Sequence, residues 1–593
     1  MVMYNPKLLL PRITARRDFL RYSITALSGT TLFSSPEISG LREQENTGNT
    51  DYSSVISTVR QTLPLVMLRK DIIGASIALV YGERTIWAEG FGYCDRSKKL
   101  EITPETPFFV GSISKSFTAL GVLKAVEKGI LSLDQPLKEY LPWFTVNSRF
   151  GKAETERITI RHLLSHHSGL GTWPLLGNPF DPQYHTRTFE EVVKSARDSW
   201  LKFPPGERFE YSNQGIDLAG YALQVAAGKP FAEYMRDEIL APLGMTRSTL
   251  AQKEVIDKSL FAVPYIGKSI APIKNGMLHP MLAAGGLMSS AQDMGRFISF
   301  HLQDGRAGGN QIIPVTLLRE MYMPQFTARN QPSGYGICIY KAFENDTARF
   351  SHGGSGYGVS THYRWLPEYK LGVVLLTNQG ASHNAPAIAG EIIKLMLNAK
   401  RGSAPQKGPL TPAGTPRQFT DEPALRRLEG SYLLYEGVLF RFKVENGKLF
   451  HLAGKEKLRL EAHSPTAFTS GGRRYEFSVD EKGNPRGVRI IDPHYDPSSA
   501  ENSVTYLPVN DTPTGAQGPN KREWRQFVGK YVGTFIGETT EATISIKGGN
   551  LYLNNELKLT EQAAGLFLTA DGEAVVFENG GLLAGNRHYL KKK

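Results

Sequence analysis

Ser112-Ile113-Ser114-Lys115 runs directly into Ser116-Phe117-Thr118-Ala119-Leu120-Gly121-Val122-Leu123-Lys124-Ala125-Val126. Phe117, Leu120, Leu123 and Val126 recur at helical spacing, which predicts an amphipathic helix with a serine at its start. Helical patterns continue to about Ala227, where the run from Ile216 closes at Gly228, a residue type that commonly ends helices. Upstream lie a helix candidate, Asp51 to Arg69, and two β-like runs, Gly74 to Val80 and Thr85 to Tyr93. Tyr81-Gly82-Glu83-Arg84 joins those runs as a hairpin. Downstream, Ser290-Ala291-Gln292-Asp293 opens a helix with a near-capping-box pattern. Strand-like runs return at Tyr335 to Tyr340, Val359 to Trp365 and Gly372 to Thr377, and a last helix spans about Ala385 to Leu397. Strands at both ends of residues 50–398, with helices between them, predict one antiparallel sheet built from the two chain ends.

Beyond this unit the texture changes. Residues 399–421 are rich in Pro, Gly, Thr and Ser and read as a linker. Short alternating runs broken by Gly, Asn and Asp then fill the chain, an all-β pattern. They contain an internal repeat. Gly430-Ser431-Tyr432 matches Gly529-Lys530-Tyr531, and Gly447-Lys448-Leu449-Phe450 matches Gly549-Asn550-Leu551-Tyr552. Leu458-Arg459-Leu460 matches Leu557-Lys558-Leu559, and Phe468 and Phe477 match Phe567 and Phe577. Two related β units are expected, at 422–508 and 523–593, each short enough to be a small barrel-like unit or a sandwich, with residues 509–522 as the linker between them.

Composition excludes several classes. Forty per cent hydrophobic and 21% charged residues rule out a disordered or collagen-like chain of this length, 593 residues. Two cysteines rule out a disulfide-stapled scaffold and a cysteine-rich metal protein. No uncharged apolar run reaches about 18 residues, so no standard membrane span is visible. The net charge of +12 comes from scattered basic residues without interleaved aromatics, which reads as a solvated surface and not a nucleic-acid site. Residues 1–36 carry five basic residues against Asp18, so their removal would lower the charge to +8.

Within that segment, Arg16-Arg17-Asp18-Phe19-Leu20 precedes a modestly apolar stretch from Tyr22 to Phe33. It resembles a bacterial twin-arginine export signal, cleaved between Ser28 and Ser39. The protein is accordingly expected to be periplasmic or secreted. Export would put Cys94 and Cys338 in an oxidising space where pairing is open to them.

Three motifs carry candidate chemistry. In the first, Ser112 and Lys115 share one helix face. The helix start offers unpaired N–H groups to a developing oxyanion, and a lysine amine with a lowered pKa can help deprotonate the hydroxyl. The second is Tyr211-Ser212-Asn213, after the turn Pro204-Pro205-Gly206. A phenol near a lysine can act as general base and acid, and an asparagine amide can bond both a substrate carbonyl and the lysine. The third is His352-Gly353-Gly354-Ser355, entering a strand-like run. Glycines on an edge strand allow close backbone approach and leave an N–H free for an oxyanion hole. Each motif alone is weak, since a helix cap, a core tyrosine or a surface turn explains it equally well. Their order and separation together are far more specific.

The trio resembles the active-site set of the β-lactamase/penicillin-binding serine hydrolases, in the branch of class C β-lactamases, DD-carboxypeptidases, D-aminopeptidases and related esterases. Leu163-Leu164-Ser165-His166-His167-Ser168-Gly169-Leu170, Phe203-Pro204-Pro205-Gly206 and Ala284-Gly285-Gly286-Leu287-Met288-Ser289 are similar to stretches of that family, and the resemblance covers roughly residues 55–398. It implies an α+β fold, with an antiparallel sheet flanked by helices and a mostly helical subdomain, followed here by two small all-β barrel-like domains. It implies that Ser112 is the acylated nucleophile, Lys115 its activating partner and Tyr211 the proton shuttle. Asn213 would contact substrate and lysine, and the backbone N–H groups of Ser112 and Ser355 would form the oxyanion hole.

The third motif departs from part of the family. β-Lactamases and DD-carboxypeptidases usually carry Lys-Thr-Gly or His-Thr-Gly, where a cation and a hydroxyl help hold a substrate carboxylate. His352 is at most partly charged near neutral pH and Gly353 supplies no hydroxyl. The form looks more like the D-aminopeptidase and esterase members, and D-aminopeptidases also carry two β-barrel domains. The expected activity is an acyl-enzyme hydrolase of amides or esters, with peptides containing D-amino acids favoured and no metal or cofactor needed. A β-lactamase or DD-carboxypeptidase is the alternative, and an idle binding protein working through its β domains is a second. His166 and His167 read as loop scaffolding and not metal ligands. Arg161-His162 are expected on a helix, and Trp143, Trp173 and Tyr357 are aromatics that either line the cleft or pack in the core.

Overall fold

The structure is a computed structural model that describes residues 50–591 apart from short segments, those longer than five residues being 177–183, 273–278, 327–332, 403–420, 492–504 and 509–522. The twin-arginine segment, Tyr357, Gly549 and most of both expected linkers lie outside the described residues.

The first unit runs in the order α1 (Ser53–Arg69), β1 (Gly74–Tyr81), β2 (Arg84–Asp95), β3 (Leu100–Glu101), α2 (Ser114–Glu127), α3 (Asn213–Ala227), α4 (Ala291–Leu302), β4 (Gly334–Tyr335), β5 (Tyr340–Glu344), β6 (Thr347–Gly356), β7 (Val359–Leu366), β8 (Leu371–Thr377) and α5 (Asn384–Arg401). Its eight strands form one antiparallel sheet in the order β4-β5-β6-β7-β8-β1-β2-β3. β1 and β8 pair at the centre, so the two chain ends meet there as the sequence pattern predicts.

The period of two along the central strands sorts side chains to two faces. Ile77, Leu79, Val373 and Leu375 pack with Val55, Val59 and Leu63 of α1 and with Ile392 and Ile393 of α5. Ala78, Val80, Val374 and Leu376 join the larger core that holds α2, α3 and α4. With helices on both faces, every residue of β8 is buried, which explains its unbroken apolar run.

The helix ends follow local chemistry. Ser212 caps α3 by accepting from the Gly215 N–H at 2.9 Å, and Gly228, at φ +60°, ends it. Ser290 caps α4 through the Asp293 N–H. Arg161 and His162 lie on the short helix Ile160–Leu164.

Two expectations change. α2 is not amphipathic: every residue from Ser114 to Leu123 is buried. Its polar side chains are accommodated internally, Ser116 Oγ donating to Cys338 O at 2.8 Å and Thr118 Oγ1 to Ala283 O at 2.8 Å. The run Tyr335 to Tyr340 is not one strand either. It turns between β4 and β5, where Gly336 N–H donates to Ile339 O and Cys338 takes φ +52°. Cys94 and Cys338 are both free and buried. Cys94 lies on β2 and Cys338 between β4 and β5, toward opposite edges of the sheet, well beyond the reach of a disulfide.

The repeat forms two separate cores. Leu449, Leu460, Phe468 and Phe477 pack in one, and Leu551, Leu559 and Phe567, with Phe577 against them, in the other. Strands between Gly529 and Lys591 pair in a ring that closes through Tyr531 with Lys591 and Val532 with Leu590. The nine strands between Gly430 and Pro508 form a sheet whose two edge members, Glu456–Arg459 and Glu461–Ala462, follow one another in the chain, and among the described residues they do not pair with each other.

Burial makes a direct prediction for α2. Leu120 is 0% exposed, so Leu120→Ala is expected to cost about 2–5 kcal/mol, read as a lower Tm. Leu65 on α1 is 47% exposed, and Leu65→Ala is expected to change stability by less than about 0.5 kcal/mol in the same measurement.

Candidate functional site

Ser112 sits in a tight helical turn, Gly111–Ile113, immediately before α2. Gly111 adopts φ +55°, and a Cβ there would lie 3.1 Å from the Ser355 backbone nitrogen. A Cβ on Gly354 would lie 1.9 Å from the Val110 carbonyl oxygen. Two missing side chains therefore let β6 press against the Ser112 turn. β5 pairs with β6 only as far as Tyr340 opposite Ser351, so residues 352–356 are paired on one side, by β7, and present their other edge beside Ser112. Thr361 on β7 ties the two elements together, its hydroxyl donating to Val110 O at 2.8 Å.

Lys115 follows one turn later and is 0% exposed. Its Nζ donates to Ser112 Oγ at 2.9 Å and to the Ala284 carbonyl at 2.7 Å. Burial lowers its pKa to about 7, partly opposed by the charge of Asp217. A lysine in this state supplies free amine near neutral pH, within hydrogen-bond reach of a serine hydroxyl. Among the described residues Lys115 Nζ makes no hydrogen bond to Asn213; its acceptors are Ser112 Oγ and Ala284 O. Asn213 is buried as the first residue of α3, its backbone N–H donating to Thr172 O.

Tyr211 places its ring over this lysine, with Nζ 4.9 Å from the ring centroid. His166 helps to fix it. His166 accepts from the Glu210 N–H through its carbonyl at 2.8 Å and from the Ser212 N–H through Nδ1 at 3.0 Å. Its ring lies 4.2 Å from that of Tyr211, centroid to centroid. His166 thus grips the backbone on both sides of Tyr211, from a left-handed conformation at φ +64°. The scaffolding expected of His166 takes this specific form. His167 donates from Nδ1 to Ser165 O, and among the described residues no group of three or more metal-ligating side chains occurs.

His352 is turned inward. Its Nδ1 must donate to the Gly353 carbonyl, at 2.7 Å, so Nε2 accepts from the Tyr335 hydroxyl at 2.9 Å. Burial lowers its pKa to about 3, so the ring is neutral. Both nitrogens are engaged within the protein. Trp143 packs edge-on against Tyr221 of α3.

Two groups escape a reading of the sequence. Tyr335 sits in a bent segment that resembles a strand. Asp217, fully buried on α3, accepts from the Ala284 N–H at 2.9 Å, and burial raises its pKa to about 8. The only local signal for Asp217 is one carboxylate within the apolar run Ile216 to Ala222.

The pattern that identifies β-lactamases as a family matches residues 56–396, more than half of the chain. The chain belongs to the β-lactamase family. It is 25% identical over 334 residues to the Flp protein of Staphylococcus aureus strain MW2, and spans 64% of that relative's length and 56% of its own. It is 25% identical over 427 residues to penicillin-binding protein 4* of Bacillus subtilis strain 168, covering 69% of this chain and 90% of the relative. The octameric penicillin-binding protein homologue from Pyrococcus abyssi shares the fold, with a TM-score of 0.53 at 24% identity over 84% of this chain and 98% of that one. That likeness in fold extends past the family match into the β-rich C-terminal part.

The grip of His166 is testable by the rate at which a fluorophosphonate labels Ser112. His166→Ala removes the Nδ1 acceptor and is expected to slow labelling about 100-fold, the scale of an ångström-sized misplacement. His166→Asn, whose amide oxygen can accept and which tolerates left-handed backbone, is expected to recover most of that rate. A purely structural role would lower Tm in both variants without this rescue.

Proposed function

We propose that the protein is an exported serine hydrolase that works through an acyl-enzyme on amide or ester bonds, with D-aminoacyl peptides, amides or small esters as its substrate class. The observation that carries this reading is the fully buried Lys115 amine, 2.9 Å from Ser112 Oγ.

In this reading the substrate carbonyl lies along the open edge of β6, its oxygen between the backbone N–H groups of Ser112 and Ser355. Ser112 Oγ attacks the carbonyl carbon as its proton passes to Lys115, with Tyr211 relaying it to the departing amine or alcohol. Water then attacks the ester and regenerates Ser112. The neutral, internally bonded His352 supports substrates without a free carboxylate at that position, because no cation is offered there. The similarity to a penicillin-binding protein supports the alternative, a β-lactam-binding DD-carboxypeptidase or β-lactamase. Export to the periplasm or medium rests on Arg16-Arg17 and the apolar stretch after them. Among the described residues no helix is long and apolar enough to cross a membrane.

Intact mass after incubation with a β-lactam, beside assays of D- and L-aminoacyl p-nitroanilides and p-nitrophenyl esters, tests the reading. Turnover is expected with D-aminoacyl amides or esters and is expected to vanish in Ser112→Ala. A long-lived β-lactam adduct with no amide or ester turnover would favour the penicillin-binding alternative. Neither adduct nor turnover would reject the hydrolase.

The lysine sets the pH dependence. Protonated Lys115 has no lone pair to receive the serine proton, so kcat/KM is expected to fall as pH drops through about 7. Lys115→Arg, charged at all working pH values, is expected to lower kcat about 100-fold or more, measured with the best substrate of the panel.

A further inference from the structure

Lys115 and Asp217 reach the same residue from opposite sides. The Ala284 carbonyl accepts from Lys115 Nζ at 2.7 Å, and the Ala284 N–H donates to Asp217 Oδ1 at 2.9 Å. Ala284 belongs to the short helix Leu282–Gly285, which packs on both α2 and α3. Asp217 is 0% exposed, and its Oδ2 has no hydrogen-bond partner among the described residues. A buried carboxyl group with one free oxygen either keeps its proton or is ionised beside a charge that offsets it.

The groups that act on Lys115 leave one candidate for that offset. His166, His279 and His352 surround it, and burial keeps all three neutral. Burial likewise raises the Cys338 thiol pKa and keeps it protonated. Tyr211 offers the face of its ring. Only Asp217 can bring a negative charge: burial raises its pKa to about 8 and the charge of Lys115 opposes that rise, so the carboxylate is the form that accompanies an ammonium on Lys115. Toward Asp217 itself, the groups that act are Lys115 on α2 and the N–H groups of Ala283 and Ala284 on the short helix.

We propose that Asp217 is a positioning residue that provides the counter-charge for the ammonium formed on Lys115 when Ser112 gives up its proton. The inference rests on the Ser112–Lys115 reading above. In the step concerned, the Oγ–H bond of Ser112 breaks and its proton joins the Lys115 lone pair. The Oγ electrons form the bond to the carbonyl carbon, and the carbonyl π pair moves onto oxygen. The ammonium appears at a site closed to water, where the Asp217 carboxylate is the buried anion that can balance it. When the leaving amine or alcohol takes the proton, Lys115 returns to the amine. Ala284 fixes the geometry by holding both side chains at once. Burial lowers the affinity of Lys115 for a proton and raises that of Asp217, and each group's charge opposes the shift of the other.

The experiment is the pH profile of kcat/KM for wild type, Asp217→Asn, Asp217→Ser and Asp217→Glu, with a p-nitrophenyl ester or aminoacyl p-nitroanilide hydrolysed in a Ser112-dependent way. Asp217→Asn keeps an acceptor for the Ala284 N–H and removes the charge. Without the carboxylate Lys115 holds a proton less tightly, so the acidic limb is expected to move to lower pH by about one unit or more. The plateau is expected to fall about tenfold, in kcat more than in KM, as the ammonium loses its counter-charge. Asp217→Ser is the second neutral variant and is expected to move the limb the same way. Asp217→Glu is expected to keep the limb near its wild-type position.

A limb that stays in place in a folded neutral variant overturns the role, even if the rate falls. Neutral variants that fail to fold beside a folded Asp217→Glu also overturn it, since the carboxylate is then a folding requirement. Turnover unchanged in Ser112→Ala would instead reject the underlying hydrolase reading, so the two failures are distinguishable.

Discussion

The site is organised by the removal of one lysine amine from water. A surface lysine stays protonated far above neutral pH, and a protonated amine cannot take a proton from a serine. Burial alters that balance, and burial of a lysine imposes conditions on everything around it. α2 must be covered on all sides, which is why it packs on α3 and on the short helix Leu282–Gly285 and carries small or hydrogen-bonded residues such as Gly121, Ser116 and Thr118. A Cβ on Gly121 would lie 2.4 Å from Met235 Sδ, a measure of how tightly the cover fits. The amine needs acceptors, and Ser112 and Ala284 supply them.

A second constraint is close approach of backbone to backbone. Gly111 and Gly354 bring the Ser112 turn and β6 together by the absence of side chains, the approach that the proposed main-chain oxyanion hole requires. The early end of β5 leaves the adjoining edge of β6 open. An unpaired strand edge usually invites aggregation, and here the opening is only five residues long, set against the Ser112 turn.

These constraints mark what local sequence can and cannot reveal. The strands β1, β7 and β8, the caps Ser212 and Ser290 and the stop at Gly228 were legible because period, cap chemistry and glycine conformation act over a few residues. The paired β units were legible because the repeated residues, such as Leu449 with Leu551 and Phe468 with Phe567, are their cores. The motif residues were legible as candidates, and the structure brings Ser112, Lys115 and Tyr211 together. What escaped was tertiary. The apolar spacing of α2 suggests one buried face, yet contacts from distant segments cover the others. Tyr335 to Tyr340 has strand composition, but a left-handed Cys338 breaks it. Asp217 and Tyr335 acquire their importance only from Ala284 and His352, which lie 67 and 17 residues away.

The electrostatic layout follows from the same burial. Three buried histidines around Lys115 would be liabilities if charged, since each would repel the ammonium that a proton transfer creates. Burial holds them neutral, and hydrogen bonds fix their orientation: Nδ1 of His166 to Ser212, Nδ1 of His279 to the Tyr184 hydroxyl, and the two nitrogens of His352 to the Gly353 carbonyl and the Tyr335 hydroxyl. They serve as shape and as hydrogen-bonding groups, and among the groups that act on Lys115 only Asp217 can carry a charge. A neutral surround makes the position of one proton decisive, because little else nearby can compensate for it. In the proposed mechanism it also leaves recognition of a carbonyl group to backbone donors, whose strength does not change with pH.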